Sequence, residues 1–251
     1  MYIAEFVGTM ILSITFAMVT RPTITFYTSP DSNEVKRQES FVAPVAVGFV
    51  TIALIYAFGH ISGAHFNPAI TIAVYVRGFI TVRDSVVFIA MQIIGAIAGA
   101  FIAIGVTGEI PYIEPGAKFQ ESYGRLCVVE GVYAFAIAVV TINVATTESQ
   151  RGNFFYGVSV GMCVCAGIAT AQKISGGAFN PAVGTALSIT NALRATGTAK
   201  YVWIYWAGPI VGGYLGGLSY HVLNAKEIEQ GQVAQQQAQQ ISNHLHIECN
   251  L

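Results

Sequence analysis

A nine-residue stretch occurs twice and divides the chain into two halves. The first copy is Ser62-Gly63-Ala64-His65-Phe66-Asn67-Pro68-Ala69-Ile70, and the second is Ser175-Gly176-Gly177-Ala178-Phe179-Asn180-Pro181-Ala182-Val183. Six of the nine positions are identical, and each copy follows a long apolar run. Asn is a preferred N-cap, because its side-chain oxygen takes an orphan backbone N–H at a helix start. Pro is favoured at the first helical position, where its missing N–H is no loss. Each copy therefore reads as a Gly-rich irregular loop that opens a helix, at Asn67, Pro68 and Ala69 in one half and at Asn180, Pro181 and Ala182 in the other.

The surrounding chain is apolar. Hydrophobic residues make up 54% and charged residues 10%, where a soluble domain carries about 25% charge. This composition predicts an integral membrane protein. A formal net charge of -1 argues against a nucleic-acid partner. Apolar runs at residues 2–20, 41–58, 85–106, 126–145, 154–171 and 200–223 are about long enough to cross a bilayer. The first has neither a basic leading region nor a small-residue cleavage site, so it reads as a span and not a signal peptide. Two short helices are expected at 67–76 and 180–193; the first is ~15 Å long, half a bilayer. Loops 59–66 and 172–179 precede them. Polar connections fall at 21–40, 107–124 and 146–153, the first expected to be exposed. The Gln-rich tail, 224–251, is expected to be disordered or a frayed helix.

Three spans in each half is an odd number, so the halves must lie in the membrane with opposite orientation. The expected fold is an all-α membrane protein: six transmembrane helices and two half-helices in an inverted repeat. It occupies residues 1–223, with repeats at about 1–108 and 122–223. Gln92-Ile93-Ile94-Gly95-Ala96 in the third span aligns with Pro209-Ile210-Val211-Gly212-Gly213 in the sixth. Gly95, Gly99, Gly212, Gly213, Gly216 and Gly217 supply the small residues that close helix packing in a bilayer requires.

The two loops enter from opposite faces, and irregular backbone at that depth must be buried in protein or line a cavity. The half-helix N-termini then meet near the midplane. Each carries about half a positive charge, and each Asn can cap its helix with its oxygen and still offer N–H to the lumen. Such a junction repels cations, and makes a passing water present its oxygen to both amides, which interrupts a proton wire. The pattern suits a pore for neutral solutes.

Glu5 and Glu130 are intramembrane acids at corresponding places in the two halves. Such residues are candidate functional groups; the alternative is that each braces a loop by accepting its backbone N–H groups. His60 and His65, on the first loop, offer a pH gate or further bracing. Cys127, Cys163, Cys165 and Cys249 imply no disulfide framework. No enzyme constellation, metal-ligand spacing or cofactor motif is present.

These residues resemble the aquaporin, or major intrinsic protein, family. The resemblance spans about residues 1–223 and rests on Glu5-Phe6-Val7-Gly8-Thr9, Gly59–Ala69, Gln92–Gly95, Glu130, Phe179–Ala182 and Tyr205-Trp206-Ala207-Gly208-Pro209. It implies the hourglass fold, a cytoplasmic N-terminus and a homotetramer with one pore per subunit, in the plasma membrane or an internal one. Basic residues alone favour the other orientation. By spacing from each Asn, the family's selectivity filter falls on Val47, Ile168, Gly177 and Val183. Val183 stands where the family usually has Arg, and none of the four is aromatic. Tyr205-Trp206 is similar to water-channel members, while Gly184-Thr185-Ala186-Leu187 lacks the Asp of glycerol channels. The resemblance implies a passive channel for water and small neutral solutes such as glycerol, urea or ammonia. A low-conductance junction or scaffold protein that keeps the same fold is the alternative, and an ion-coupled transporter lacks a midplane charge.

Overall fold

A computed structural model of the chain describes residues 1–19, 26–28, 35–37, 42–194, 197–231 and 237. Its main helices are α1 (Tyr2–Val19), α2 (Val42–Ser62), α3 (Pro68–Arg77), α4 (Val82–Thr107), α5 (Tyr123–Thr146), α6 (Tyr156–Ser175), α7 (Pro181–Ala192) and α8 (Ile204–Leu223). α1, α2, α4, α5 and α6 are long and apolar enough to cross a membrane. α8 has the length, 20 residues, but Gly, Tyr and Trp dilute its hydropathy. α3 and α7 have 10 and 12 residues and span about half a bilayer at ~1.5 Å per residue. The chain is a multi-pass integral membrane protein.

The ends of the helices sort onto two faces. The Tyr2 hydroxyl donates to Asp84 Oδ1 at 2.6 Å, that of Tyr56 to the Phe154 carbonyl at 2.6 Å, and Arg77 to the Tyr220 hydroxyl at 2.9 Å. Asn224 donates to Asn143 Oδ1 at 3.0 Å. The starts of α1, α4 and α6 and the ends of α2, α3, α5 and α8 therefore share one face, called here the terminal face. α1 starts where α5 ends, α2 ends where α6 starts, and α4 starts where α8 ends. This is the inversion that an odd span count demands. On the opposite face the 108–122 connection docks on α6 and α7: Gly116 N–H donates to the Ile174 carbonyl at 3.1 Å and Thr190 to that of Pro111 at 2.7 Å.

Helix limits differ from the hydropathy limits. α2 continues to Ser62 and α6 to Ser175, so the loops expected from 59 and from 172 begin only at Gly63 and Gly176. Polar residues such as His60, Ser62, Gln172 and Lys173 end an apolar run without ending a helix. The two serines find partners for their hydroxyls inside the fold, described below. The 21–40 connection lies mostly outside the described residues; within it, Phe26–Thr28 (β1) and Val35–Arg37 (β2) pair antiparallel, Phe26 opposite Arg37. The tail, expected to be disordered or frayed from 224, is helical over residues 225–231 (α9). Beyond 231 only residue 237 is described.

Close backbone approach sets the packing. A Cβ on Gly95 or Gly99 of α4 would come within 2.4 Å of the Phe6 or Met10 carbonyl oxygen of α1, and one on Gly212 of α8 within 2.1 Å of Gly131 O of α5. The aligned glycines thus serve equivalent crossings in the two halves. On the other side of α8, a Cβ on Gly213 would come within 2.2 Å of the Ala69 carbonyl oxygen of α3. α8 is glycine-rich because it is clasped on both sides, which also explains its low hydropathy.

These contacts give a test. Gly213→Ala forces α3 away from α8, an overpacking that costs about 1–3 kcal/mol. It should lower the thermal unfolding midpoint in detergent. Gly105→Ala, with nothing within 4 Å of the added carbon, should leave the midpoint unchanged or raise it. Equal midpoints for the two variants would contradict the close approach.

Candidate functional site: two half-helix starts on one cavity

Each repeated loop leaves its helix through left-handed backbone. Gly63 and Gly176 have φ 87° and 98°, the next residues Ala64 and Gly177 have 54° and 69°, and Phe66 and Phe179 both have 50°. Left-handed geometry costs about 1–2 kcal/mol per non-Gly residue, so three of these six positions are held against a local preference.

Hydrogen bonds donated to buried acids offset that cost. Glu5 is fully buried. It accepts from the Ser62 hydroxyl at 2.6 Å, His65 N–H at 3.1 Å and Phe66 N–H at 2.8 Å. Glu130, also fully buried, accepts from Ser175, from Ala178 N–H at 3.2 Å and from Phe179 N–H at 2.6 Å. The serine oxygens in turn accept Ala64 N–H at 3.1 Å and Gly177 N–H at 3.2 Å. The two halves repeat this pattern bond for bond.

One member has no counterpart. Gln92 Nε2 donates to Glu5 Oε2 at 2.8 Å and to Thr71 Oγ1 at 2.9 Å. Pro209 holds the aligned place in the second half and has no amide to give. Sequence alignment marks Gln92 only as a repeat position; its role as a third support of Glu5 needed the fold. Thr71 also donates its single proton to the Asn67 carbonyl at 3.1 Å, and its oxygen lies 3.2 Å from His65 Nδ1. With that proton spent, His65 Nδ1 must carry the hydrogen, which leaves Nε2 an acceptor in the neutral ring. The ring packs edge-on to Phe88, with centroids 5.2 Å apart.

The two Asn residues meet across the loops. Asn67 Oδ1 accepts Ala69 N–H at 2.9 Å, and Asn180 Oδ1 accepts Ala182 N–H at 3.0 Å and Val183 N–H at 3.4 Å. Asn67 Nδ2 donates to the Phe179 carbonyl at 3.0 Å and Asn180 Nδ2 to that of Phe66 at 2.9 Å. Each carbonyl immediately precedes the opposite Asn, so the half-helix starts are joined reciprocally. Each amide therefore uses one of its two N–H groups within the protein and retains the other.

Both Asn residues line a cavity of about 620 Å³. It extends from Thr146–Asn153 on the terminal face, past His60 and His65, to Val47, Ile168 and Val183. These last three are at most 2% exposed, so this end of the cavity is narrow and apolar. Gly177, the fourth expected filter residue, is not part of that wall. A Cβ there would lie 3.5 Å from Ile168 Cα and 3.3 Å from Gln172 N, so its backbone packs against α6.

Arg194, one basic residue near the opposite face, does not reach Val183. Its guanidinium lies 3.6 Å from the centroid of the Tyr112 ring and donates to Asn191 Oδ1 at 3.0 Å. Asn191 Nδ2 donates to Glu114 at 2.7 Å. The cluster ties the 108–122 connection to the end of α7, a helix length away from Val183. Tyr205 donates to the Ser175 carbonyl at 2.6 Å and Trp206 to Thr185 at 2.8 Å, so both support the second loop and α7. Among the described residues no group of three His, Cys, Asp or Glu is placed to hold a metal ion.

The acids can be tested by shape and by acceptor. Glu130→Leu strands the Ser175 hydroxyl and the N–H groups of Ala178 and Phe179, each at about 1–3 kcal/mol. Glu130→Gln keeps one acceptor oxygen. The Leu variant should give much less folded protein than Gln, measured as monodisperse yield after detergent extraction. Equal yields would remove the role of these bonds.

The sequence comparisons agree with this architecture. The model of the Major intrinsic protein family matches residues 1–220. Aquaporin A of Dictyostelium discoideum is 29% identical over 70% of this chain, which spans 63% of that relative's length. Glycerol uptake facilitator protein-like 6 of Lactiplantibacillus plantarum is 31% identical over 90% of this chain and 99% of its own. In three dimensions the fold is similar to the aquaglyceroporin from Plasmodium falciparum, with a TM-score of 0.72 at 20% identity, covering 87% of this chain and 93% of that one. An inverted six-helix fold with two half-helices joined at paired Asn residues, matched by that family model across nearly all of the described chain, places this protein in the major intrinsic protein family.

Proposed function

We propose that the chain is a passive transmembrane channel for water and small neutral solutes. The observation that carries this reading is the convergence of two helix N-termini, through Asn67 and Asn180, on one elongated cavity. The positive ends of α3 and α7 oppose cations there. The free N–H of each Asn orients a passing water with its oxygen toward the junction and breaks a proton relay. A catalytic role needs nucleophile or acid–base geometry, and the buried acids are instead occupied with loop N–H groups. Apolar residues on the outer faces of the helices suit lipid and the other copies of a homotetramer.

Val47, Ile168 and Val183 form the constriction, with Gly177 behind it. An Arg at 183 would narrow this point and add a fixed charge and a fork of donors. Val lacks all three, and Arg194 is tied elsewhere. The filter therefore excludes by size and desolvation rather than by charge, and admits glycerol, urea or ammonia beside water.

Paired water and solute flux in proteoliposomes tests this. The wild type should pass urea or glycerol measurably, and Val183→Arg should cut that flux while keeping part of the water flux. A wild type that passes water and rejects every larger neutral solute would overturn the reading that this uncharged constriction admits them. The junction has its own test. Asn180→Asp keeps the cap acceptor but places a negative charge between the helix starts, so it should raise cation leak in planar bilayers. No change in leak, with water flux intact, would remove the junction as the cation barrier.

A further inference from the structure

Residues 110–116 of the 108–122 connection form neither helix nor strand, and their burial alternates. Pro111, Ile113 and Pro115 are buried, while Tyr112 and Glu114 between them are half-buried. Extended backbone has this pattern, because its successive side chains point to opposite sides. One side of the segment meets the second loop. A Cβ on Gly176 would come within 2.4 Å of Ile113 Cγ1, so Ile113 fills the space that a side chain on this left-handed glycine would need. A Cβ on Gly116 would come within 2.1 Å of the Lys173 carbonyl oxygen. Gly116 N–H and the Tyr205 hydroxyl take the Ile174 and Ser175 carbonyls, which the end of a helix leaves without intrahelical partners. The other side of the segment meets the end of α7. Arg194 stacks on Tyr112 and donates to Asn191 Oδ1, while Asn191 Nδ2 donates to Glu114. Asn191 is fully buried and also donates to the Thr198 carbonyl at 2.9 Å.

The first loop has no such cover. Gly63, aligned with Gly176, is exposed, and a Cβ there would meet only the His65 ring of its own loop. The connection on that face walls the cavity instead. Glu227, on α9, holds it by accepting Glu148 N–H at 2.9 Å and Ser149 N–H at 3.5 Å. The second loop, 175–180, is buried throughout. Two of its residues act at the constriction: Gly177 packs behind Ile168, and Ala178 lines the cavity. An aliphatic ring without fixed charge sorts neutral solutes by width and desolvation, and its width depends on the backbone behind it.

We propose that Ile113 is a positioning residue for the constriction: held in place by Arg194, Asn191 and Glu114, it presses Gly176 and Gly177 onto Ile168 and so sets which neutral solutes pass. The selectivity part rests on the channel reading above. Ile113 touches no solute in this scheme, because it lies behind the cavity wall.

The test uses full-length wild type, Ile113→Ala, Ile113→Val, Arg194→Ala, Glu114→Ala and Glu114→Gln in proteoliposomes. The first readout is the ratio of glycerol or urea flux to water flux within one preparation, which the amount of folded protein does not alter. Ile113→Ala should raise this ratio several-fold. Ile113→Val, a smaller truncation that cores tolerate better, should raise it less. Arg194→Ala and Glu114→Ala should raise it too, whereas Glu114→Gln keeps an acceptor for Asn191 and should restore the wild-type ratio. The second readout is amide hydrogen exchange, which should quicken over residues 176–179 in Ile113→Ala and Arg194→Ala and stay unchanged over 63–66. If Ile113→Ala fails to fold, Ile113→Val and Arg194→Ala carry both readouts. A wild-type ratio in the folded Ile113 variants would overturn the positioning role. A raised ratio in those variants but not in Arg194→Ala or Glu114→Ala would overturn the part given to the cluster. A wild type that rejects larger solutes, with Ile113→Ala admitting them, would uphold the positioning while overturning the solute range proposed above. A wild type that passes neither water nor solute would sink the channel reading and the selectivity with it, while exchange still decides whether Ile113 braces the second loop.

Discussion

A buried carboxylate that accepts loop N–H groups is the constraint on which the rest of this fold depends. A half-helix that starts at mid-membrane needs a stretch of irregular backbone to reach it. That backbone carries polar groups which lipid cannot satisfy. Glu5 and Glu130 take up these groups, and the serines at the ends of α2 and α6 complete each set. The left-handed residues of each loop persist because the following N–H groups are already bonded. Helix ends, loop length and the direction of α3 and α7 follow from where the acids sit on α1 and α5.

The same logic explains the glycines. Two half-helices can meet end to end only if the long helices around them close tightly. Gly213 brings α8 against the backbone of α3, and Gly212 brings it against α5. The cross-bonds from each Asn to the carbonyl before the other then join the halves at one point. A rigid junction of this kind keeps the helix dipoles aimed at the cavity, which the proposed cation barrier requires. The apolar constriction lies at the end of that cavity away from the terminal face.

Much was legible in the sequence, for reasons that are local or arithmetic. Six of nine identical positions revealed the repeat. Three apolar runs per half required the inversion whatever the side chains do, and Asn-Pro marked two helix starts through capping chemistry. Glu5 and Glu130 stood out because charge inside an apolar run is costly and needs a partner. Hydropathy misjudged the ends of α2 and α6, since Ser62 and Ser175 look like loop residues until their acceptors on other helices are known.

Only the tertiary structure could decide which groups meet. Gln92 supports Glu5 while Pro209 leaves Glu130 without an equivalent, because α4 and α8 present different atoms at aligned positions. Gly177 leaves the cavity wall because its left-handed backbone turns it toward α6, which no spacing rule reports. Arg194 is drawn to Tyr112 and Asn191, far along the chain from one another and close only through the docked 108–122 connection. Glu227 caps a turn that lies 78 and 79 residues away in sequence. Sequence alone determined the repeat, the inversion and the half-helix starts, because these depend on local chemistry and on counting. The partners of each buried polar group depended on three-dimensional proximity, and that is set by packing.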